Sequence, residues 1–151
     1  VELSDRPGYA PEYHDPAFMK LAEECCVALC GRKKVVFDYN GWSTGSSDFG
    51  DVTCVMPGVQ INAGGAVGTL HGIDFQITDP NRMCVNAAKV QLFLVDALLS
   101  NDAVTAKEII ANYKPQYPSI KAYLDAIDAL TLDKDAVKYD EKGNAIVDFQ
   151  N

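Results

Sequence analysis

Positive charge is scarce in this sequence. Its 151 residues include 13 Lys and Arg against 21 Asp and Glu, which gives a net charge of −8 at pH 7. The longest cationic run is Arg32-Lys33-Lys34. A chain with this balance is a poor binder of nucleic acid or of an anionic membrane surface, so we expect neither as a partner.

Long apolar runs are missing as well. No stretch of roughly eighteen consecutive apolar residues occurs, so the sequence predicts no transmembrane helix. The first residues, Val1 to Asp5, have neither the cationic start nor the apolar run of a secretory signal. No initiator Met precedes them, and we therefore expect either a piece of something longer or a trimmed chain. We expect a cytoplasmic location.

The cysteines form no recognisable framework. Their number is odd, three of them lie within six residues, and no paired CxxC motifs occur. Cysteines of this kind are typically small buried hydrophobic residues in a reducing compartment. We expect this environment for Cys25, Cys26, Cys30, Cys54 and Cys84.

Length and composition predict one globular domain spanning residues 1–151. Hydrophobic residues make up 48% and charged residues 23%, which excludes a disordered chain. A chain of this length buries about two-thirds of its unfolded surface, so neither disulfides nor a metal is needed to hold the fold together.

The first two-thirds of the chain carry clear secondary-structure signals. Asp15, followed by proline, predicts the start of a helix that Gly31 ends. The β-branched or alternating segments 35–39 and 59–63 are predicted as strands. The run 83–99 is apolar on nearly all sides, which predicts a buried helix.

The last third predicts two amphipathic helices, at 102–112 and 119–130, and a hairpin formed by 136–139 and 145–149. Residues 1–14 are expected to be a loop. Strands separated by helices indicate an α/β layered domain. Two core strands are too few for a self-sufficient sheet, so we expect further strands from elsewhere in a longer chain.

Glycine-rich polar loops follow both predicted strands, where ligands bind preferentially in α/β sheets. His71 lies in the second loop as either a zinc ligand or a surface hydrogen-bonding residue. His14, beside the first helix start, is predicted to be structural. The glycines lack the Lys-Ser/Thr of a phosphate loop, no GxSxG elbow occurs, and Cys54 has no local cation to activate it.

Three motifs follow one another through these loops: Gly45-Ser46-Ser47-Asp48-Phe49-Gly50-Asp51-Val52, Met56-Pro57-Gly58-Val59-Gln60-Ile61-Asn62-Ala63-Gly64 and Gly68-Thr69-Leu70-His71-Gly72-Ile73-Asp74-Phe75. Their order resembles the last third of a metal-dependent amidohydrolase. The family is that of aminoacylases and of carboxypeptidase G-type and dipeptidase-type metallopeptidases. The most similar branch contains the aminobenzoyl-glutamate hydrolases.

The resemblance covers roughly residues 7–100. It implies an α/β piece, with layered sheet and helices, of a zinc-peptidase catalytic domain that here lacks the inserted lid domain. Residues 101–151 extend past this core as helices and a hairpin with no family role. In the complete enzyme the resemblance implies homodimerisation through the lid. It also implies two divalent metal ions, usually zinc, that activate water to hydrolyse the amide bond of N-acyl amino acids or small peptides.

The resemblance also implies roles for individual residues. His71 matches the last metal ligand of the family, and Asp74 or a loop carbonyl would orient its second ring nitrogen. Ser47 and Asp48 match the loop beneath the site and are assigned its support. The residues whose backbone would approach the substrate are Gly64 and Gly65.

The sequence also departs from the family pattern. The remaining metal ligands, the bridging carboxylate and the general base belong to the family's first half, so we expect no catalytic residue here. One histidine cannot hold a catalytic zinc, and the chain alone is expected to be inactive and free of metal. Gly72 stands where relatives often have Ser, Thr or Pro. The alternative is a non-catalytic binding or interaction module with a hydrolase-derived fold.

Overall fold

The computed structural model describes residues 2–41, 44, 45 and 47–148. These residues form a mixed α and β fold. The helices are α1 (Pro16–Cys30), α2 (Phe49–Thr53), α3 (Asn86–Asn112) and α4 (Ile120–Ala129), with a 3-10 turn at Arg32–Lys34 and a π-helical turn at Asn81–Val85. The strands are β1 (Glu2–Asp5), β2 (Ala66–Val67), β3 (Gln76–Ile77), β4 (Leu132–Asp135), β5 (Val137–Tyr139) and β6 (Ala145–Val147).

Helix α1 begins and ends where its sequence predicts. The carboxylate of Asp15 accepts a hydrogen bond from the backbone N–H of Phe18 at 2.9 Å, which satisfies one of the free donors of the first turn. Gly31 ends the helix with a φ of 81°, and its N–H donates to the carbonyl of Val27 at 2.8 Å. A residue with a Cβ adopts such a φ at a cost, so glycine suits this position.

Helix α3 confirms two predicted helices separated by a break. The carboxylate of Asp79 accepts from the N–H of Arg82 at 2.9 Å and caps the π-helical turn that leads into α3. At Ser100–Ala103 the backbone leaves helical geometry, and the last three of these residues have positive φ. The chain then returns to a helix that ends at Asn112.

The core lies between α1 and α3. Its buried members are Ala22, Cys25 and Cys26 from α1 and Val90 and Leu94 from α3. Cys25 and Cys26 are buried in this core as predicted, and Cys54 is buried elsewhere. Cys84 is exposed and Cys30 is half-buried. For Cys84 the prediction of burial is wrong, because its turn precedes the stretch of α3 that contacts α1.

Within the described ranges the strands form three separate two-stranded antiparallel sheets, β1 with β4, β2 with β3, and β5 with β6. The C-terminal hairpin is confirmed, since Val137 pairs with Val147 and Tyr139 with Ala145. The loop predicted for residues 1–14 is wrong at β1, where Glu2 pairs with Asp135. The strands predicted at 35–39 and 59–63 are wrong: neither segment is a strand in the structure, and Tyr39 lies in a turn. The reason is that neither segment has a paired neighbouring backbone among the described residues.

The prediction that the apolar part of α3 is buried is also wrong. Leu92 is 67% exposed, Val95 51% and Leu99 62%. Only the face that carries Val90 and Leu94 is buried, because α1 covers that face. The helix thus presents a large apolar surface to the outside.

The segment after residue 101 is part of the packed structure. The hydroxyl of Tyr113 donates to the carbonyl of Thr53 at 2.5 Å, and the N–H of Gln116 donates to the carbonyl of Cys54 at 3.0 Å. Thr53 and Cys54 are buried almost completely. Hydrogen bonds therefore join the C-terminal extension to the end of α2.

One helical stretch, Asn81–Asn112, is long and apolar enough to cross a membrane by length and composition alone. Its most apolar window has a mean hydropathy of 1.4, and 11% of that window is buried in this structure. The sequence prediction of no transmembrane helix stays a prediction. The core helix of a soluble protein passes the same test.

Candidate functional site

A cavity of about 370 Å³ lies beside the contact between α1 and α3. Two segments without regular secondary structure, 35–38 and 59–64, border it, and Cys26 and Val90 also line it. These are the two segments that the sequence predicts as strands, so the cavity lies where a sheet was expected.

The two segments keep the alternation of strands. Val35, Phe37, Val59 and Ile61 are partly buried and pack against the core of α1 and α3. Val36, between the first two, is 91% exposed. An alternation with a period of two is the burial pattern of a half-covered strand.

The backbones of the segments are nevertheless unpaired. The peptide groups of Val36, Phe37 and residues 59–64 make no backbone hydrogen bond to any residue that the structure describes. Peptide N–H and C=O groups in extended chain normally pair in a ladder or with water. These peptide groups are therefore left to bond to water or to groups outside the described chain.

Two cations border the cavity. The guanidinium of Arg82 lies against the backbone of Gly64, since a Cβ there would be 3.1 Å from Nε of Arg82. Lys34 and Asp38 also line the cavity. Within the described part of the chain, neither Arg82 nor Lys34 belongs to an ion pair.

A polar cluster joins the loop before α1 to the loop before α2. The carboxylate of Glu12 accepts from the hydroxyl of Ser47 at 2.6 Å and lies 3.1 Å from Nε2 of His14. The Gln60 amide, with its nitrogen toward Glu12, donates to both carboxylate oxygens at 2.9 and 3.0 Å. Ser47 contacts the carboxylate rather than the imidazole, so the cluster is not a nucleophile–base pair.

His71 is exposed in the loop between β2 and β3. Its φ of 63° is left-handed, which few residues other than glycine adopt. Its ring makes no hydrogen bond to the residues that the structure describes. The carboxylate of Asp74 instead accepts from the N–H and the hydroxyl of Thr69 at 3.1 and 3.3 Å, and so holds the loop.

The remaining predicted site residues lie at element ends. Gly65 has a φ of 121°, and a Cβ there would meet the carbonyl oxygen of Asp79 at 2.7 Å. Its missing side chain thus makes room for the start of the π-helical turn. Asp48 is exposed immediately before α2 and gives it no side-chain cap.

The structure therefore brings together only part of the predicted site. Gly64 borders the cavity, whereas His71, Ser47, Asp48 and Asp74 are not among its lining residues. Ser46, named in the motif, lies outside the described residues.

No group of three or more His, Cys, Asp or Glu side chains able to hold a metal occurs among the residues that the structure describes. The buried thiols do not supply one. Burial raises the pKa of Cys25, Cys26 and Cys54, so these thiols stay protonated at neutral pH, and metal binding needs the thiolate.

Sequence reasoning missed Arg82, Lys34 and Glu12. The sequence does mark Arg82 as unusual, because the helix dipole disfavours a cation in the first turn of a helix. A cation at that position indicates a role other than stabilising the helix. Glu12 and Lys34 carry no comparable signal. Their positions depend on the path of the loops, which the local sequence does not reveal.

Comparison with known proteins gives no match: no protein-family model, no curated protein and no solved structure matches this chain. The amidohydrolase resemblance therefore depends on the loop motifs alone.

Proposed function

We propose that this chain is the C-terminal portion of the catalytic domain of a metal-dependent amide hydrolase. The full enzyme would belong with the aminoacylases and carboxypeptidase G-type peptidases, closest to the aminobenzoyl-glutamate hydrolases. Its substrates would be N-acyl amino acids or small peptides. The order and spacing of the three loop motifs support this proposal.

The geometry of His71 is the observation that carries the proposal. Its backbone is left-handed, its ring is exposed, and the Thr69–Asp74 hydrogen bonds fix the loop around it. Uncommon backbone conformations of this kind cluster at functional sites. An accessible imidazole on a fixed loop is suited to metal coordination.

The described residues do not complete a metal site. His71 is the one imidazole on this loop, and the described residues contain no group of three donors, whereas a catalytic zinc needs three protein ligands. The other ligands of two zinc ions would come from outside these residues. We therefore assign no catalytic step to this chain, and we expect it to be inactive alone.

The supporting roles also remain part of the proposal. Ser47 would position the loop before α2 through its hydrogen bond to Glu12, with Asp48 beside it. Asp74 would shape the His71 loop. The backbones of Gly64 and Gly65 would approach the substrate, and the complete enzyme would be a cytoplasmic homodimer joined through its lid.

The test uses the protein translated from the complete reading frame that encodes this chain. We expect hydrolysis of N-acyl amino acids that a chelator abolishes. His71→Ala should lower the bound metal and reduce kcat/KM by about 100-fold or more. His14→Ala, at the other histidine, should leave the metal content unchanged. Chelator-insensitive hydrolysis, or none with a panel of acyl amino acids, would refute the proposal.

A non-catalytic interaction module is the second candidate. The unpaired cavity edges and the absence of a three-donor group among the described residues favour it. A reading frame that adds no residues before Val1, together with a stable, inactive, monodisperse protein, would favour the module over the hydrolase.

A further inference from the structure

The outward face of helix α3 carries a line of exposed apolar side chains, which we call the outer seam. Its members are Ala88, Leu92, Val95 and Leu99. Their spacings of four, three and four residues place them on one stripe of the helix. Val90 and Leu94, which α1 covers, lie on the opposite side of α3. The seam ends at the break that begins at Ser100.

The outer seam is a different surface from the one at which further strands are expected. Strands that paired with segments 35–38 and 59–64 would enter the cavity that these segments border. The residues of α3 that line this cavity are Asn86, Ala87, Val90 and Gln91. Because the seam residues are not among them, strands added at the cavity would leave the seam exposed.

One residue of each charge lies beside the seam. Lys89 and Asp96 are both exposed, and their separation of seven residues places them along the same flank. They are about 10 Å apart along the helix, so they do not pair with each other. Among the described residues, Lys89 belongs to no ion pair, and Asp96 accepts a hydrogen bond of 3.4 Å from the hydroxyl of Ser100.

This charge pattern is complementary to itself when two seams pack in opposite directions. Leu92 of each copy then meets Val95 of the other copy at the centre of the contact. Lys89 of each copy lies beside Asp96 of the other, and two-fold symmetry makes two such pairs. Parallel seams would instead place Asp96 beside Gln91 and would form no pair of opposite charges. The charges therefore favour an antiparallel contact with a second copy.

The seam is also ready to associate without further folding. An isolated helix of this length is marginal in water, but Val90 and Leu94 already hold α3 against α1. More than half of each of the side chains Leu92, Val95 and Leu99 is exposed. Covering them with a matching apolar seam removes this surface from water, which favours association.

We propose that the outer seam of α3 is a contact between two copies of this chain, packed antiparallel about a two-fold axis. The two Lys89–Asp96 pairs fix the direction of the second helix. This contact goes beyond the hydrolase proposal and does not depend on it, because it requires neither a metal nor hydrolysis. It is also separate from the lid contact expected of the complete enzyme.

The first test is the oligomeric state of the 151-residue chain. Light scattering over a concentration series should show a reversible dimer. Leu92→Gln alters two side chains in each dimer and should raise Kd by about 100-fold or more. The matched control, Ile110→Gln, alters a residue that is 65% exposed beyond the break in α3, and it should leave Kd unchanged. A monomer at every concentration, or equal Kd values for the two variants, would overturn the proposal.

The second test reverses the charges. Lys89→Glu should raise Kd by about five- to tenfold, because both attractive pairs become repulsive. Lys107→Glu makes the same change in net charge at an exposed position beyond the break, and Kd should stay nearly unchanged. Adding Asp96→Lys to Lys89→Glu restores opposite charges in both pairs, so Kd should return close to its original value. A double variant that dimerises no better than Lys89→Glu would overturn the antiparallel contact.

A segment from elsewhere in a longer chain is the competing occupant. Its charges would stay the same in every variant, so it would give no rescue in the double variant. In the protein translated from the complete reading frame, carbodiimide should join Lys89 of one copy to Asp96 of another. A mixture of isotope-labelled and unlabelled copies identifies this link by mass spectrometry, because the joined peptides then come from different copies.

Absence of the mixed peptide from the complete protein would assign the seam to the longer chain and would overturn the proposal. Loss of hydrolysis in the complete protein would leave all of these results unaffected. The two proposals therefore fail separately.

Discussion

The guanidinium of Arg82 lies directly against the backbone of Gly64. A Cβ atom at Gly64 would be 3.1 Å from Nε and 3.2 Å from Cζ of that arginine. The side chain of Arg82, at the start of the helix, therefore packs against one side of the glycine-rich loop that follows segment 59–63. This contact places a cation at the cavity wall. It also shows that the glycine positions differ in how well they tolerate a side chain.

Gly50→Ala should destabilise the protein much more than Gly64→Ala. A Cβ at Gly50 would overlap the carbonyl oxygen of Ala10, which is backbone and cannot move aside. We expect a loss of about 1–3 kcal/mol in the free energy of unfolding, measured by urea denaturation. At Gly64 the obstacle is the mobile end of Arg82, so the loss should stay within about 0.5 kcal/mol.

Gly8→Ala serves as the control for the glycine series. Nothing lies within 4 Å of a Cβ built at Gly8. A similar stability for the Gly50 and Gly8 variants would contradict the close approach of residue 10 to α2.

Asp15→Ala should lower stability by about 1 kcal/mol, because it removes the N-cap of α1. Asp15 is only 7% exposed, and its N–H also donates to the carbonyl of Gly58 at 3.0 Å. Ser119→Ala removes the cap of α4, whose serine accepts from Ala122 in an exposed position. Urea denaturation should give the smaller loss for Ser119→Ala, and the reverse order would contradict this account.

Tyr113→Phe should destabilise the contact between the C-terminal extension and α2. The hydroxyl of Tyr113 donates to the carbonyl of Thr53, which lies in a fully buried residue. Removing the donor leaves that carbonyl without this partner, at a cost of about 1 kcal/mol. The matched control is Tyr9→Phe, on an exposed tyrosine, and thermal unfolding should separate the two variants.

Cysteine alkylation should follow exposure and pKa. Cys84 is exposed and should react first in the native protein. Burial raises the pKa of Cys25, Cys26 and Cys54, which lowers their thiolate fraction at neutral pH. Mass spectrometry of timed samples should show one fast site, and Cys84→Ser should remove it. Rapid labelling of Cys26 would contradict the core described above.

The acidity of Glu23 should depend on Tyr39. The Tyr39 hydroxyl, which donates to Glu23 at 2.5 Å, and then Arg32 lower the pKa of the Glu23 carboxyl. A lowered pKa in the folded state means that this group adds stability above the ordinary glutamate pKa. That contribution is lost as the pH falls through the lowered value.

Tyr39→Phe should therefore raise the pKa of Glu23 toward its ordinary range, as followed by carboxyl NMR titration. Stability near neutral pH should fall relative to stability in acid. The control is Tyr9→Phe, which should leave the Glu23 titration in place. An unchanged Glu23 pKa in Tyr39→Phe would show that Arg32 alone sets it.

The helix ends could be predicted from the sequence because their signals are local. Asp15 and Gly31 act on backbone groups within four residues of themselves, and the structure has the expected hydrogen bonds at each. The C-terminal hairpin is equally local, since its turn fixes the pairing of Val137 with Val147. By contrast, the pairing of β1 with β4 joins residues about 130 positions apart and left no local signal.

The candidate site was less predictable than the helices. The sequence singled out His71 and the neighbouring glycines, and the structure adds that this histidine is left-handed and exposed. The sequence could not show that the carboxylate of Asp74 accepts hydrogen bonds from Thr69. Nor could it show that the carboxylate of Glu12 contacts Ser47, His14 and Gln60. Those contacts depend on how separate loops meet.

The sequence by itself determined the order of helices, their caps and the alternation within segments 35–39 and 59–63. Only the tertiary structure decided that these segments stay unpaired and that α3 exposes Leu92 and Leu99. The physical reason is that periodicity fixes which side chains share a face, whereas pairing requires a second backbone within hydrogen-bonding distance. Within the described chain, no second backbone pairs with the peptide groups of these two segments.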